Sequence, residues 1–321
     1  VAGELVEARF RVMGSDAHVA VEGDDAASCV EMAVARLERL ERTWSRFLVD
    51  SELSRANTAA GRWVPISDET VALVDRAQRA AVATGGRFDP NRLHDVIAAG
   101  YAGSFGPDGP APAPPAELPA GPPVPVDGVE LDRAGRRLRV RPGTGFDPGG
   151  IAKGFAADLV VDELLDAGAA GACVNLGGDL RLGGRVEGDW VVDVEDPRRR
   201  AAGPIRRLSV AAGAVATSSR CRRRWRRSDG TFAHHLIDPR TGRPAETDVL
   251  TATVVAAEGW VAEALATALL VAGSRATDVA ALVAGAGATG LLVTTSGVVE
   301  LAGLDAFLPA PRPAGERTVP V

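Results

Sequence analysis

Apolar and polar positions alternate from the start of the chain. Phe10 and Val12 are interleaved with Arg9 and Arg11, so residues 5–22 read as two strands joined by a turn at Met13-Gly14-Ser15-Asp16. The period then changes. Val30, Val34, Leu37, Leu40, Trp44 and Phe47 recur at threes and fours and predict a helix over 26–47. Ser67, followed by Asp68 and Glu69, is an N-cap signal for a second helix that stops at Gly85-Gly86. Residues 129–141 predict a hairpin turning near Ala134-Gly135, and a helix runs from Ile151 to Ala167 with Gly168 as its stop. The second half predicts strands at 172–176, 190–194, 207–217, 232–237 and 250–256 and helices at 260–272 and 276–284. A last hairpin, 290–295 with 298–301, turns around Ser296-Gly297. Strands in runs, with helices between only some of them, predict an α+β fold of mostly antiparallel sheets with packed helices. The stretch 105–126 is so rich in Pro, Gly and Ala that it reads as an exposed loop inserted into one domain spanning 1–321.

Composition narrows the classes. The chain has 321 residues, 46% of them hydrophobic and 24% charged, which suits an ordinary globular protein with a sizeable core. A net charge of −6 argues against a general nucleic-acid binder, and no nucleic-acid partner is expected. No apolar run is long enough for a transmembrane helix. The opening VAGELVEARF lacks the basic and apolar regions of a signal peptide, which points to the cytoplasm. A leader trimmed before Val1 would instead place the protein outside it. Cys29, Cys173 and Cys221 are far apart and form no CxxC, so neither a disulfide framework nor a cysteine zinc site is signalled.

The segment Asp147-Pro148-Gly149-Gly150-Ile151-Ala152-Lys153-Gly154 carries the strongest chemistry. Its glycines let a ligand approach the backbone, and they open a helix whose first N–H groups attract anions. Lys153 opposes the dipole of that helix, a placement that makes sense with a phosphate to bind. In His234-His235-Leu236-Ile237-Asp238-Pro239-Arg240-Thr241-Gly242 the two histidines, read as strand residues, point to opposite faces, so one can line a site. Glu263 and Thr267 share a helix face and are hard oxygen ligands suited to Mg2+ with phosphate oxygens. Asn175-Leu176-Gly177-Gly178-Asp179 suggests a tight bend, and Arg87-Phe88-Asp89-Pro90 follows a glycine pair. Gly285–Gly290 fits GxGxxG but follows a helix and precedes a strand, the reverse of the dinucleotide-binding order. The arginine run Arg220–Arg227 reads as solvated arginines on a strand edge or loop, with an acidic partner or a pyrophosphate as its other uses.

Together and in this order these segments resemble the ApbE family, the FAD:protein FMN transferases. The likeness runs from about Val12 to Leu301 and includes MGS at Met13–Ser15, SELSRAN at Ser51–Asn57 and the Asp147–Gly154 segment. It continues through NLGGD at Asn175–Asp179, VATS at Val215–Ser218, HHLIDPRTGRP at His234–Pro244 and AEALATALLVAG at Ala262–Gly273. The resemblance implies that Met13, Phe47, Arg87, Phe88, Asp89, Asp147, Lys153, Leu236 and Ile237 contact FAD, with Phe47 where the family often has tyrosine. It implies a Mg2+ site made by the carbonyl of Gly150 with Glu263 and Thr267. The family usually has Asp at the place of Glu263, and a glycine commonly follows its Thr-Ser pair, where this chain has Ser219. The Pro-rich insertion and the arginine run depart from the family too. The implied activity is transfer of FMN from FAD to a Thr or Ser hydroxyl of an acceptor flavoprotein, releasing AMP. Lys153 would neutralise charge and His235 would be the general base. Hydrolysis of FAD to FMN and AMP is the implied side reaction, and a non-catalytic FAD-binding protein is the alternative that the Glu263 departure raises.

Overall fold

The structure is a computed structural model that describes residues 4–106, 109–110, 128–184, 189–199, 203–227, 230–309 and 317–320. Eight strands form one sheet in the order Glu4–Val12, Ser15–Gly23, Gly171–Leu176, Asp179–Gly184, Gly213–Ser219, Val249–Ala256, Thr289–Thr294 and Val298–Glu300. Every neighbouring pair in it is antiparallel, as the runs of strands predicted. The first hairpin turns at Met13-Gly14, where both residues take positive φ, 51° and 64°.

Alternation along the strands divides the core into two faces. Ala172, Val174 and Leu176 pack on one side with helices α1 (Ala26–Trp44), α3 (Asp68–Ala83) and α5 (Ala152–Asp166). On the same side, Ala252 and Val254 pack against α6 (Gly259–Ala272) and α7 (Thr277–Gly285). Cys173, Leu180, Leu182 and Val255 face the other way, onto Trp190, Val192, Leu208 and Val210 of a smaller sheet. That sheet joins Pro204–Val210 and Trp190–Glu195 antiparallel and Arg317–Pro320 parallel.

The helix predictions hold closely, including Ser67 as the N-cap of α3, whose hydroxyl accepts from Thr70 N–H. Several elements differ. α1 ends at Trp44, where the chain leaves the helix at Ser45 with ψ 123°, so Phe47 lies in the following turn. The expected strand 207–217 is two strands in different sheets, Pro204–Val210 and Gly213–Ser219, divided where Gly213 takes φ 133°. The expected strand 232–237 breaks after His234, so His235 and Leu236 lie between Phe232–His234 and Ile237–Asp238. Two short helices, α2 (Glu52–Thr58) and α4 (Leu93–Ala98), and the strand Asp179–Gly184 were not predicted. Most of the Pro-rich stretch 105–126 lies outside the described residues; Phe105–Gly106 and Gly109–Pro110 form a short antiparallel pairing.

Candidate active site

The N-terminal ends of α5 and α6 meet at two glycines. A Cβ on Gly259 would lie 2.5 Å from the Gly154 carbonyl oxygen, and one on Gly154 would be closer still to Gly259. With backbones touching, each helix caps the other. The Asp158 carboxylate of α5 accepts from Gly259 N–H at 2.6 Å and Trp260 N–H at 3.0 Å. The Glu263 carboxylate of α6 accepts from Gly154 N–H at 2.8 Å. These bonds satisfy first-turn donors that a helix leaves open. Burial pushes the Asp158 carboxyl up to about 6, against the two backbone N–H groups and Arg181, whose Nε is 3.2 Å away.

Lys153, in the first turn of α5, is the cation at this crossing. Its Nζ donates to Glu263 Oε1 at 2.9 Å and also to Asp179. Asp179 and Glu263 are both only 3% exposed. Burial pushes the Lys153 ammonium below its ordinary value, Glu263 opposes that shift, and Arg223 adds to it. One turn after Glu263, Thr267 Oγ1 shares a hydrogen bond of 3.0 Å with Ser218 Oγ. Gly150 faces the same spot, since a Cβ there would lie 3.4 Å from Thr267 Oγ1. Among the described residues no three His, Cys, Asp or Glu cluster to hold a metal by themselves. The oxygens gathered here belong to two carboxylates and two hydroxyls, with the Gly150 backbone beside them. All are hard oxygen ligands, the set that suits Mg2+ when substrate phosphates complete the shell.

The opposite end is aromatic. Trp44 closes α1 by stacking on Phe155 at 5.7 Å, which fixes where the chain turns out to Arg46 and Phe47. Arg46 Nε pairs with Asp147 at 3.2 Å, and its NH2 donates to the Tyr101 carbonyl at 2.9 Å. Its guanidinium lies 4.2 Å from the Phe47 ring centre and 4.6 Å from that of Tyr101. Phe47 and Tyr101 are 5.7 Å apart and tilted, and Phe47 keeps 38% of its surface exposed. The Tyr101 ring also meets Trp225 at 5.8 Å and the edge of His235 at 6.3 Å.

Between these ends is a cavity of about 530 Å3. Every residue predicted for the site lines it: Met13, Phe47, Arg87, Phe88, Asp89, Asp147, Gly150, Lys153, His235, Leu236, Ile237, Glu263 and Thr267. Their roles differ in detail. The Asp89 carboxylate is turned inward, accepting from Asn91 N–H at 2.9 Å and Arg92 Nε at 2.8 Å, so it shapes the loop. Arg87 pairs with Asp278 at 3.2 Å. Lys153 is engaged by carboxylates rather than held free at the helix end. His235 faces the cavity while His234 packs away from it, bonded to the Ala245 carbonyl at 3.1 Å and pushed down to about 4 by burial. Burial also holds His235 well below 6.5, with Arg223 and His234 adding to the effect, so its imidazole is neutral at pH 7.

Sequence reasoning missed Arg46, Tyr101, Asp179, Ser218 and Arg223. Asp179 had a signal in its place after Gly177-Gly178, a segment read as a bend and counted in the family resemblance but given no role in the site. The arginine run was read as solvated, with an acidic partner or a pyrophosphate as its other uses; most of its arginines are exposed, and Arg222 and Arg223 line the cavity. Arg223 donates to Gly14 O and Ser15 Oγ, both at 3.2 Å, and Arg222 pairs with Glu195 at 2.9 Å.

An antiparallel sheet backed by helices, with one cavity lined by rings at one end and by Lys153, Asp179 and Glu263 at the other, defines an α+β protein with a single candidate active site among the described residues. The profile of the ApbE family matches residues 13–290, and the chain belongs to that family, a family of transferases. It is 32% identical over 271 residues to the FAD:protein FMN transferase of Treponema pallidum, covering 77% of this chain and 72% of the relative. It is 32% identical over 277 residues to that of Rhodobacter capsulatus, covering 84% of this chain but only about half, 51%, of the relative. The crystal structure of the ApbE protein from Thermotoga maritima superposes with a TM-score of 0.85 at 28% identity, covering 96% of this chain and 100% of that one.

Proposed function

We propose that the protein transfers the FMN half of FAD to a Thr or Ser hydroxyl of an acceptor flavoprotein, with release of AMP and dependence on Mg2+. The observation that carries this reading is one cavity with an aromatic shelf at Phe47 and Tyr101 and, at its other end, Lys153 between Asp179 and Glu263. FAD has that same polarity, a flat ring system and a pyrophosphate. Its isoalloxazine lies against Phe47, bounded by Met13, Leu236 and Ile237, and its pyrophosphate lies toward the start of α5.

The acceptor hydroxyl oxygen attacks the phosphorus of the FMN half. A P–O bond forms there, the P–O bond to the bridging oxygen breaks, and AMP leaves with that electron pair. His235, neutral through burial, takes the hydroxyl proton. Lys153 and Arg223 offset negative charge developing on the phosphoryl oxygens. The Gly150 carbonyl, Glu263 and Thr267 would hold Mg2+, which would supply further neutralisation of those oxygens. Water in place of the acceptor hydroxyl gives FMN and AMP.

The test incubates the pure protein with FAD and Mg2+, with and without EDTA, and follows AMP and FMN by chromatography. Metal-dependent AMP release, made stoichiometric by a threonine-bearing acceptor, is the expected result. FAD that binds and is never cleaved makes the protein a flavin carrier of the same fold, and absence of FAD binding removes the reading altogether.

A further inference from the structure

The chain carries its positive charge on 35 arginines and a single lysine, and that lysine is Lys153. Among the described residues, the exception stands at the one place where a cation is enclosed by two buried carboxylates, Asp179 and Glu263. Oxygens that accept from the same ammonium are within roughly 6 Å of each other. Two buried carboxylates that close repel unless a cation lies between them. Glu263 has one oxygen committed to Gly154 N–H, so only Oε1 faces the enclosed position, and Asp179 supplies the other carboxylate oxygen.

Asp179 is brought there by the sheet. Its strand begins beside Ala216 of Gly213–Ser219, and two residues further along that neighbour is Ser218, the partner of Thr267. Asp179 therefore borders the same hydroxyls that suit a divalent cation. Two carboxylates with one ammonium leave one negative charge unbalanced, whereas two carboxylates with a divalent cation are neutral. An arginine would hold both carboxylates in a rigid planar fork. A lysine is a compact point charge on a flexible stem, able to leave one set of partners and reach another.

We infer that Asp179 is a second carboxylate of the divalent-cation position, and that Lys153 occupies this position as a placeholder, giving it up to the cation and turning its ammonium toward the phosphates of the substrate. The inference rests on the proposed function for the destination of the ammonium. The exchange itself needs no substrate, so it is tested without FAD, and its failure is distinguishable from failure to cleave FAD.

Mn2+ binding to the FAD-free protein, measured by calorimetry and by electron paramagnetic resonance, is compared in wild type, Lys153→Met and Asp179→Asn. Lys153→Met is expected to bind Mn2+ at least tenfold more tightly than wild type, because it removes the competing cation. Equal or weaker binding in that variant overturns the placeholder. Asp179→Asn is expected to bind at least tenfold more weakly than wild type, and unchanged binding overturns its part as a ligand. A measurement on the unaltered protein stands beside these in case a variant fails to fold. Since the chain has one lysine, protein labelled with 13C-lysine gives a single side-chain methylene signal next to Nζ. That signal is expected to shift on titration with Mg2+ alone, and a signal that stays in place while Mg2+ binds overturns the exchange.

Discussion

At the α5–α6 end of the cavity two carboxylates are held by backbone N–H groups, and at the Phe47–Tyr101 end the rings are held mainly by side chains. Glu263 and Asp158 are each pinned by N–H groups of the facing helix, and the helices touch at Gly154 and Gly259 with no side chain between them. Arg46, Phe47, Tyr101 and Trp225 hold one another through ring and cation contacts among loops and short elements. The difference matches the chemistry proposed for each end. Charge stabilisation weakens steeply when donors move, so it is built on the least deformable contacts. An aromatic shelf only has to offer a face, and it tolerates adjustment.

The comparison can be broken first at the group that stands between the two ends. His235→Ala is expected to lower AMP release roughly 100- to 10,000-fold while leaving FAD binding in place. Turnover in that variant equal to wild type removes His235 as the base. In the wild type, turnover should show no inflection near pH 6.5, since the buried imidazole stays neutral to lower pH.

Gly154→Ala attacks the backbone-held end directly. The added methyl meets the Gly259 backbone, so a loss of about 3 kcal/mol in unfolding free energy is expected by urea titration. Gly285→Ala, where a Cβ meets nothing within 4 Å, is the control and should change stability by less than about 1 kcal/mol.

Asp158 sharpens the comparison through pH. Its carboxyl is pushed up to about 6 in the native state, so the folded protein keeps this proton longer than the unfolded chain does. The stability it contributes is full below the unfolded value near 4 and is lost as pH rises through about 6. Asp158→Asn cannot titrate, so the stability of wild type relative to this variant should fall by about 2–3 kcal/mol between about pH 4 and pH 7. A difference independent of pH would show that the carboxyl is not perturbed.

The smallest effect is expected at the aromatic end. Phe47→Ala should weaken FAD binding by roughly 0.5–1.5 kcal/mol, seen in KM with kcat unchanged. A comparable loss in kcat would mean that the shelf also sets the position of the phosphates.

What the sequence made legible follows the same division. Periodicity and caps located α1, α3, α5, α6 and α7, because each buries a regular stripe or opens on a recognisable turn. The two short helices α2 and α4 span seven and six residues, too few for a periodic stripe to stand out. The strand predicted across 207–217 was misread because apolar residues continue through the break, and only the backbone angle at Gly213 separates two sheets. Residues of the site that stand in short distinctive runs, such as Lys153 and His235, were found. Arg46 and Tyr101 were not, because their partners, Asp147 and Phe47, lie far away or in a turn, and no local spacing announces such contacts. Arg223 was hidden among other arginines, and only the fold turns it toward Gly14 and Ser15.

The contact of Gly154 with Gly259 also sets a mechanical ratio. Where two rods touch without padding, a tilt of one pivots about the point of contact. Glu263 lies about one turn from that fulcrum, roughly 6 Å along α6, while the far end at Ala272 is roughly 20 Å away. A rigid tilt of α6 about that contact would therefore move the carboxylate only about a third as far as the outer end of the helix.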